Sequence, residues 1–191
     1  MKKIILASTS LRRQEILSKT GLHFEIVASD YEENLNLKLK PLALAKFLSK
    51  GKAETVAQQY HDHLIIGADS FVVLGEKILG KPKNAAQAKE MLDLISGEAL
   101  SVITGFTIID SKTGKQISKA VKTKVYIKKL TNKEIDNYIK TKEPLDKAGA
   151  FGIQGMGAMI VRKINGDFFS AMGLPLFDLV KVLKEFEVDI I

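Results

Sequence analysis

Two long strand-like runs, residues 99–110 and 116–130, follow one another across the turn Lys112-Thr113-Gly114-Lys115, while strand and helix alternate on either side of them. A connection that short makes neighbouring antiparallel strands, whereas strand–helix–strand alternation builds parallel pairs. A chain with both features predicts an α/β (α+β) fold around a mixed, elongated sheet flanked by helices. Apolar runs at 4–7, 24–28 and 64–74 supply further strands, with a short one at 77–79 after the turn Gly75-Glu76. Helices are expected over 11–20, stopped at Gly21, and over 41–60, opened by Pro41. Others follow over 84–97, capped by Asn84, and over 131–141, opened by the capping box Thr131-Asn132-Lys133-Glu134. Residues 159–164 read as a strand, Asn165-Gly166 as a hairpin-type turn, and 175–186 as a last helix. No repeat, low-complexity stretch or linker divides the 191 residues. The expectation is one domain over 1–191 with two intimate lobes, the second inserted near 75–145.

Bulk properties narrow the function classes. Without cysteine the chain has no disulfide, no thiolate metal site and no cysteine nucleophile, which suits a cytoplasmic protein. No apolar run approaches the roughly 18 residues that span a bilayer, so no membrane association is expected. Met1-Lys2-Lys3-Ile4-Ile5-Leu6-Ala7 resembles a signal peptide only superficially; its apolar stretch is short and Ser8 to Arg13 follows at once, so it reads as a first strand. The net charge of +7 comes from scattered lysines. The most basic stretch, 119–129, alternates like an exposed strand face with Tyr126 as its only aromatic. It reads as solvated surface rather than a stable nucleic-acid interface.

Three polar clusters carry the chemistry. Ser8-Thr9-Ser10-Leu11-Arg12-Arg13 places hydroxyls and guanidiniums at a helix start, where free N–H groups and the helix dipole favour an anion. The same residues also read as an N-cap, Ser8 or Ser10, with two solvated arginines. Asp69, between Ile65-Ile66 and Phe71-Val72-Val73, is a carboxylate in apolar surroundings, costly unless paired, metal-bound or hydrogen-bonded. It reads either as a group that activates water or holds Mg²⁺, or as a structural aspartate accepting backbone N–H bonds. Glu33 is a metal ligand or a solvated loop charge; Lys52 reads most simply as a surface helix lysine. Lys81 is held extended by Pro82 and suits a phosphate. Gly149, Gly152, Gly155 and Gly157 imply unusual dihedrals or close approach of a ligand. Among them, Gln154 can read the amide edge of a base. The loop lacks both the Walker ending and the dinucleotide fingerprint. His61 and His63 lack a third ligand, and a helix-ending turn explains them more simply.

Leu6 to Arg13, Gly67-Ala68-Asp69-Ser70, Leu79-Gly80-Lys81-Pro82, Ser96-Gly97, the stretch 148–155 and Gly173-Leu174-Pro175-Leu176 closely resemble the Maf proteins, in register from about residue 4 to 186. The resemblance implies a metal-dependent nucleoside triphosphate pyrophosphatase with an inosine-triphosphatase-like fold, two lobes and a central cleft. It implies Asp69 as proton acceptor, with Ser8, Arg13, Glu33, Lys52 and Lys81 around phosphates and a Mg²⁺ or Mn²⁺ ion held by Glu33 and Asp69. Arg12, Ser70 and Gln154 fall on positions associated with base selection. Leu11-Arg12-Arg13 and Gly152-Ile153-Gln154-Gly155 are similar to the branch that prefers dTTP and UTP rather than 7-methyl-GTP, and Glu143-Pro144-Leu145-Asp146-Lys147 and Val161-Arg162-Lys163-Ile164-Asn165-Gly166 lean the same way. A homodimer is also implied. The chain departs from the family at Leu11, where proline is usual, at Ser70, where threonine is usual, and at Gly51, where a larger polar residue is usual. The rival expectation is a module that binds nucleotide or nucleic acid without turnover.

Overall fold

Among the described residues, 2–191 of a computed structural model, seven strands form one mixed sheet. They are β1 (Lys3–Leu6), β2 (Phe24–Ile26), β3 (His63–Leu74), β4 (Lys77–Leu79), β5 (Ala99–Asp110), β6 (Gln116–Ile127) and β7 (Val161–Asn165). Their order is β2-β1-β3-β5-β6-β7, with β4 beside β3. β1 lies parallel to both β2 and β3, while β4 folds back antiparallel on β3 and β7 runs antiparallel to β6. The Asp110 N–H closes the β5–β6 turn on the Lys115 carbonyl at 2.9 Å. The helices are α1 (Leu11–Ser18), α2 (Pro41–Ala57), α3 (Ala85–Ile95), α4 (Asn132–Lys140), α5 (Phe168–Met172) and α6 (Leu176–Lys184). The mixed α/β class expected from the alternation is the class observed.

The chain divides into two compact units. One comprises residues up to Asp69, Thr104–Val121 and Gly173–Ile191. Its core joins Ile5 of β1 and Ala7 just after it, Ala53 and Val56 of α2, Ile65 of β3 and Ile109 of β5. Here α2 lies on the strands with no room for a side chain between. A Cβ on Gly67 would stand 2.4 Å from the Ser49 carbonyl oxygen, and one on Gly105 2.2 Å from that of Ala45. Beneath the helix, the Ser49 hydroxyl bonds that of Thr107 at 2.9 Å, and Thr107 bonds Ser118 at 2.8 Å. The buried hydroxyls of Ser49 and Thr107 are satisfied by each other and by half-buried Ser118, which is what makes their burial tolerable.

The other unit comprises Ser70–Ile103 and Lys122–Met172. Asn84 caps α3 by accepting the Gln87 N–H, and the Thr131/Glu134 capping box opens α4. β6 ends at Ile127 rather than at 130. The Lys128 N–H turns to the Ile160 carbonyl and its carbonyl takes the Gly97 N–H, so the groups leave the ladder. Asn165-Gly166 is not a hairpin: the chain passes from β7 into α5, and the Thr123 hydroxyl donates to the Asp167 carbonyl across the corner. Between α4 and β7 come three unexpected 3-10 helices, Glu143–Asp146, Ala148–Ala150 and Gly155–Ile160.

Candidate functional site

Asp69 sits inside β3 and is 3% exposed. Because Gly67 lets α2 settle against the strand, Lys52 of that helix reaches the carboxylate two residues on. Its Nζ lies 2.6 Å from Asp69 Oδ1 and 2.5 Å from Glu33 Oε1. Asp69 Oδ2 is buried with no hydrogen-bond partner among the described residues. The reading of Asp69 as a structural carboxylate held by backbone N–H groups does not hold, since neither oxygen accepts one. An unsatisfied buried acceptor costs about 1–3 kcal/mol, more when charged, so a ligand that meets Oδ2 recovers that energy. Lys52 is not the surface lysine its helix position suggests. Gly51 before it makes room for Tyr31, whose ring a Cβ would meet at 2.3 Å. That contact seats the loop that carries Glu33.

Ser8 and Arg13 form a second group in the same unit. Arg13 Nη1 donates to Ser8 Oγ at 3.1 Å and Nε to the Gly173 carbonyl at 2.9 Å. The Ser8 hydroxyl also accepts the Ser10 N–H at 3.3 Å. Ser10 occupies the N-cap position of α1 but makes no side-chain cap bond. The alternative of a serine cap with two solvated arginines is therefore incorrect for Arg13, which is half-buried and bound. Burial pushes its guanidinium pKa down, while the Asp69 and Glu33 carboxylates pull the other way. Arg12 is half-buried and makes no hydrogen bond or ion pair among the described residues.

In the other unit, Ser70 is half-buried at the next position of β3. Lys81 is exposed and without a partner among the described residues, with Pro82 buried beside it. The Gly80 carbonyl accepts the Gly149 N–H at 2.9 Å, so the Gly-Lys-Pro corner and the glycine-rich stretch are tied together. Gly149 takes φ +68°, and a Cβ there would press within 3.3 Å of Val72. Gln154 is half-buried and precedes the 3-10 helix Gly155–Ile160; its side chain makes no hydrogen bond among the described residues. Sequence reasoning gave Glu143 no role beyond its place in Glu143-Pro144-Leu145-Asp146-Lys147, and missed Tyr138. Glu143 Oε1 accepts the Tyr138 hydroxyl at 2.8 Å and the Gly157 N–H at 3.0 Å, and Oε2 accepts the Met156 N–H at 2.9 Å. No periodicity signals that Glu143 and Tyr138 meet; the glycines at 155 and 157 are the local trace of the pair.

The family model described as Maf-like protein matches residues 3–186. A dTTP/UTP pyrophosphatase of Bacillus cereus is 47% identical over 190 residues, spanning 100% of this chain and 93% of the relative. One from Alkaliphilus oremlandii is 47% identical over 193 residues, spanning 100% of both. A crystal structure of a nucleoside-triphosphatase / dITP/XTP pyrophosphatase from Mycobacterium abscessus covers 73% of this chain and 94% of its own, with TM-score 0.39 and 14% identity. A family match over nearly the whole chain, joined to relatives almost half-identical throughout, means that this protein belongs to the Maf-like protein family.

Proposed function

We propose that this protein is a nucleoside triphosphate pyrophosphatase that hydrolyses dTTP and UTP to the monophosphate and pyrophosphate, and so cleanses the nucleotide pool. The observation that carries the reading is Asp69, buried with one oxygen unpartnered beside the Lys52 ammonium. The names of the relatives support the choice of substrate. Water attacks the α-phosphorus and Asp69 takes its proton. The bond from that phosphorus to the α–β bridging oxygen breaks, and pyrophosphate leaves with the electron pair. Arg13 and Lys52 offset phosphate charge, with Ser8 orienting the guanidinium and Lys81 adding a further positive group. Arg12, Ser70 and Gln154 are assigned to the base.

The donor set also fits a divalent ion. Glu33 and Asp69 offer hard carboxylate oxygens, one of them orphaned, and Mg²⁺ is commonly held by one or two carboxylates completed by phosphates. When bound there, Mg²⁺ or Mn²⁺ would offset negative charge on the pyrophosphate. A cytoplasmic location suits the cysteine-free chain, and no helix among the described residues is long and apolar enough to cross a membrane. A homodimer is the assembly the family resemblance implies.

The test is product analysis with purified protein and dTTP, UTP, CTP, GTP, 7-methyl-GTP and ITP, in Mg²⁺ or Mn²⁺. Monophosphate plus pyrophosphate should appear chiefly from dTTP and UTP. Asp69→Asn should lose at least about 100-fold in kcat, the range for removal of a general base. Full turnover by that variant would exclude Asp69 as the base. Orthophosphate in place of pyrophosphate would make the protein a phosphatase, and preference for 7-methyl-GTP would overturn the substrate choice.

A further inference from the structure

The Gln154 side chain is uncommitted, yet the backbone that bears it is clamped on both sides. Two residues before it, the Gly152 N–H donates to the Tyr138 hydroxyl at 3.3 Å. Two and three residues after it, the Met156 and Gly157 N–H groups donate to the two oxygens of Glu143. The Tyr138 hydroxyl donates in turn to Glu143 Oε1, so both clamps meet on one carboxylate. The glycines at 155 and 157 leave room for this carboxylate and phenol and for the Gly152 backbone. A Cβ on Gly155, at φ +66°, would stand 2.6 Å from Glu143 Oε2; one on Gly157 would stand 2.2 Å from the Gly152 carbonyl oxygen and 2.4 Å from the Tyr138 hydroxyl. Only glycine admits the two side chains beneath the turn.

From this geometry we infer that Glu143, with Tyr138, is the positioning group that presents Gln154 for base recognition and so sets the preference for thymine and uracil. The inference rests on the assignment of Gln154 to the base. An amide that discriminates by hydrogen bonding must be aimed before the ligand arrives, because disorder in the loop costs affinity and lets the wrong base find a partner. Three donors converge on the carboxylate, so the turn from 152 to 157 has one hydrogen-bonded arrangement rather than several. Burial raises the Glu143 pKa, but the Gly157, Met156 and Tyr138 donors outweigh it and hold the group below its ordinary range. The clamp is thus an ionised carboxylate at neutral pH, which strengthens each bond it accepts. Burial first, then Glu143, pushes the Tyr138 hydroxyl up, so the phenol stays a donor.

The test compares Gln154→Ala, Glu143→Gln, Tyr138→Phe and the Glu143→Gln/Gln154→Ala double variant, each by kcat and KM for UTP and CTP and by thermal unfolding. Gln154→Ala should raise KM for UTP and cut the UTP:CTP ratio of kcat/KM by about tenfold, the effect of losing one discriminating hydrogen bond. Glu143→Gln should do the same with kcat little changed, because its added N–H₂ faces backbone N–H donors. Tyr138→Phe should shift the ratio in the same direction by less, and covers the case in which Glu143→Gln fails to fold. The double variant should discriminate no worse than Gln154→Ala alone, since Glu143 acts through Gln154. If Gln154→Ala keeps the wild-type ratio, the assignment of Gln154 to the base fails. If it collapses the ratio while Glu143→Gln and Tyr138→Phe preserve it, or lower kcat/KM for both nucleotides by one factor, Gln154 reads the base and the positioning role is overturned. Additive losses in the double variant overturn it too.

Discussion

An ammonium between two carboxylates is what makes the burial of Asp69 tolerable. The side chains of Lys52 and Asp69 are 12% and 4% exposed, so each is largely removed from the water that would otherwise stabilise its charge. Taking away one member of such a pair leaves the other charged and buried, which costs about 3–5 kcal/mol. Lys52→Met should therefore lower the urea unfolding midpoint by that equivalent at neutral pH. Adding Asp69→Asn to Lys52→Met should restore most of the loss, because no uncompensated buried carboxylate is left and Glu33 is 44% exposed to water. A Lys52→Met protein with the wild-type midpoint would show that the pair carries no such weight. Asp69 was legible in the sequence as a carboxylate within an apolar run, and its cost could be argued from that alone. Lys52 was legible only through the family resemblance: by position it sits mid-helix like any solvated lysine, and the approach of α2 at Gly67 brings it to the strand.

That approach belongs to the element scale, where glycines at helix–strand contacts differ in what they permit. At Gly67 and Gly105 a Cβ would meet the backbone of α2 itself, at the Ser49 and Ala45 carbonyls. At Gly51 it would meet only the Tyr31 ring, which can swing aside. Overpacking of this kind costs typically about 1–3 kcal/mol. Gly67→Ala and Gly105→Ala should fall at or above the upper end by urea unfolding, since a helix must move as one piece. Gly51→Ala should cost less stability but should displace the loop bearing Glu33. An equal cost at Gly51 would mean that the Tyr31 loop is as rigid as the helix. Elements with local signals were legible: the capped starts of α3 and α4, the apolar runs of β1 and β3, and the turn between β5 and β6. The helical turns within 143–160 were not, because glycines and a proline carry no periodicity and the Glu143 carboxylate, nine residues ahead of the turn at 152–157, sets the shape of that turn. The end of β6 was missed for a related reason, as Lys128 looks like another strand residue until Gly97 and Ile160 claim its backbone.

At the scale of the whole molecule, polar knots tie together parts of the chain far apart in sequence, and Asp110 at the end of β5 makes one of them. Its carboxylate takes the Lys2 ammonium just before β1 and the N–H groups of Lys112 and Thr113 in the following turn. Next to it, Ser111 exchanges hydrogen bonds with the start of β3 at His63. Burial alone would raise the Asp110 pKa, but Lys2, Thr113 and the Lys112 N–H together lower it from 3.8 to about 2. A carboxyl with a folded value below its unfolded one binds protons more readily when unfolded. Its contribution to stability is therefore complete above about pH 4 and is lost as the pH falls through the folded value near 2. A chain already carrying +7 at neutral pH gains further positive charge over the same range, so repulsion adds to the loss. Urea midpoints measured from pH 6 down to pH 2 should fall steeply in the last two units. Asp110→Asn should start from a lower midpoint at pH 6, having lost the Lys2 pair, and should then show a shallower fall between about pH 4 and pH 2. Parallel curves for the two proteins would mean that other carboxylates carry the acid sensitivity, and that the knot at Asp110 adds stability without coupling it to protons.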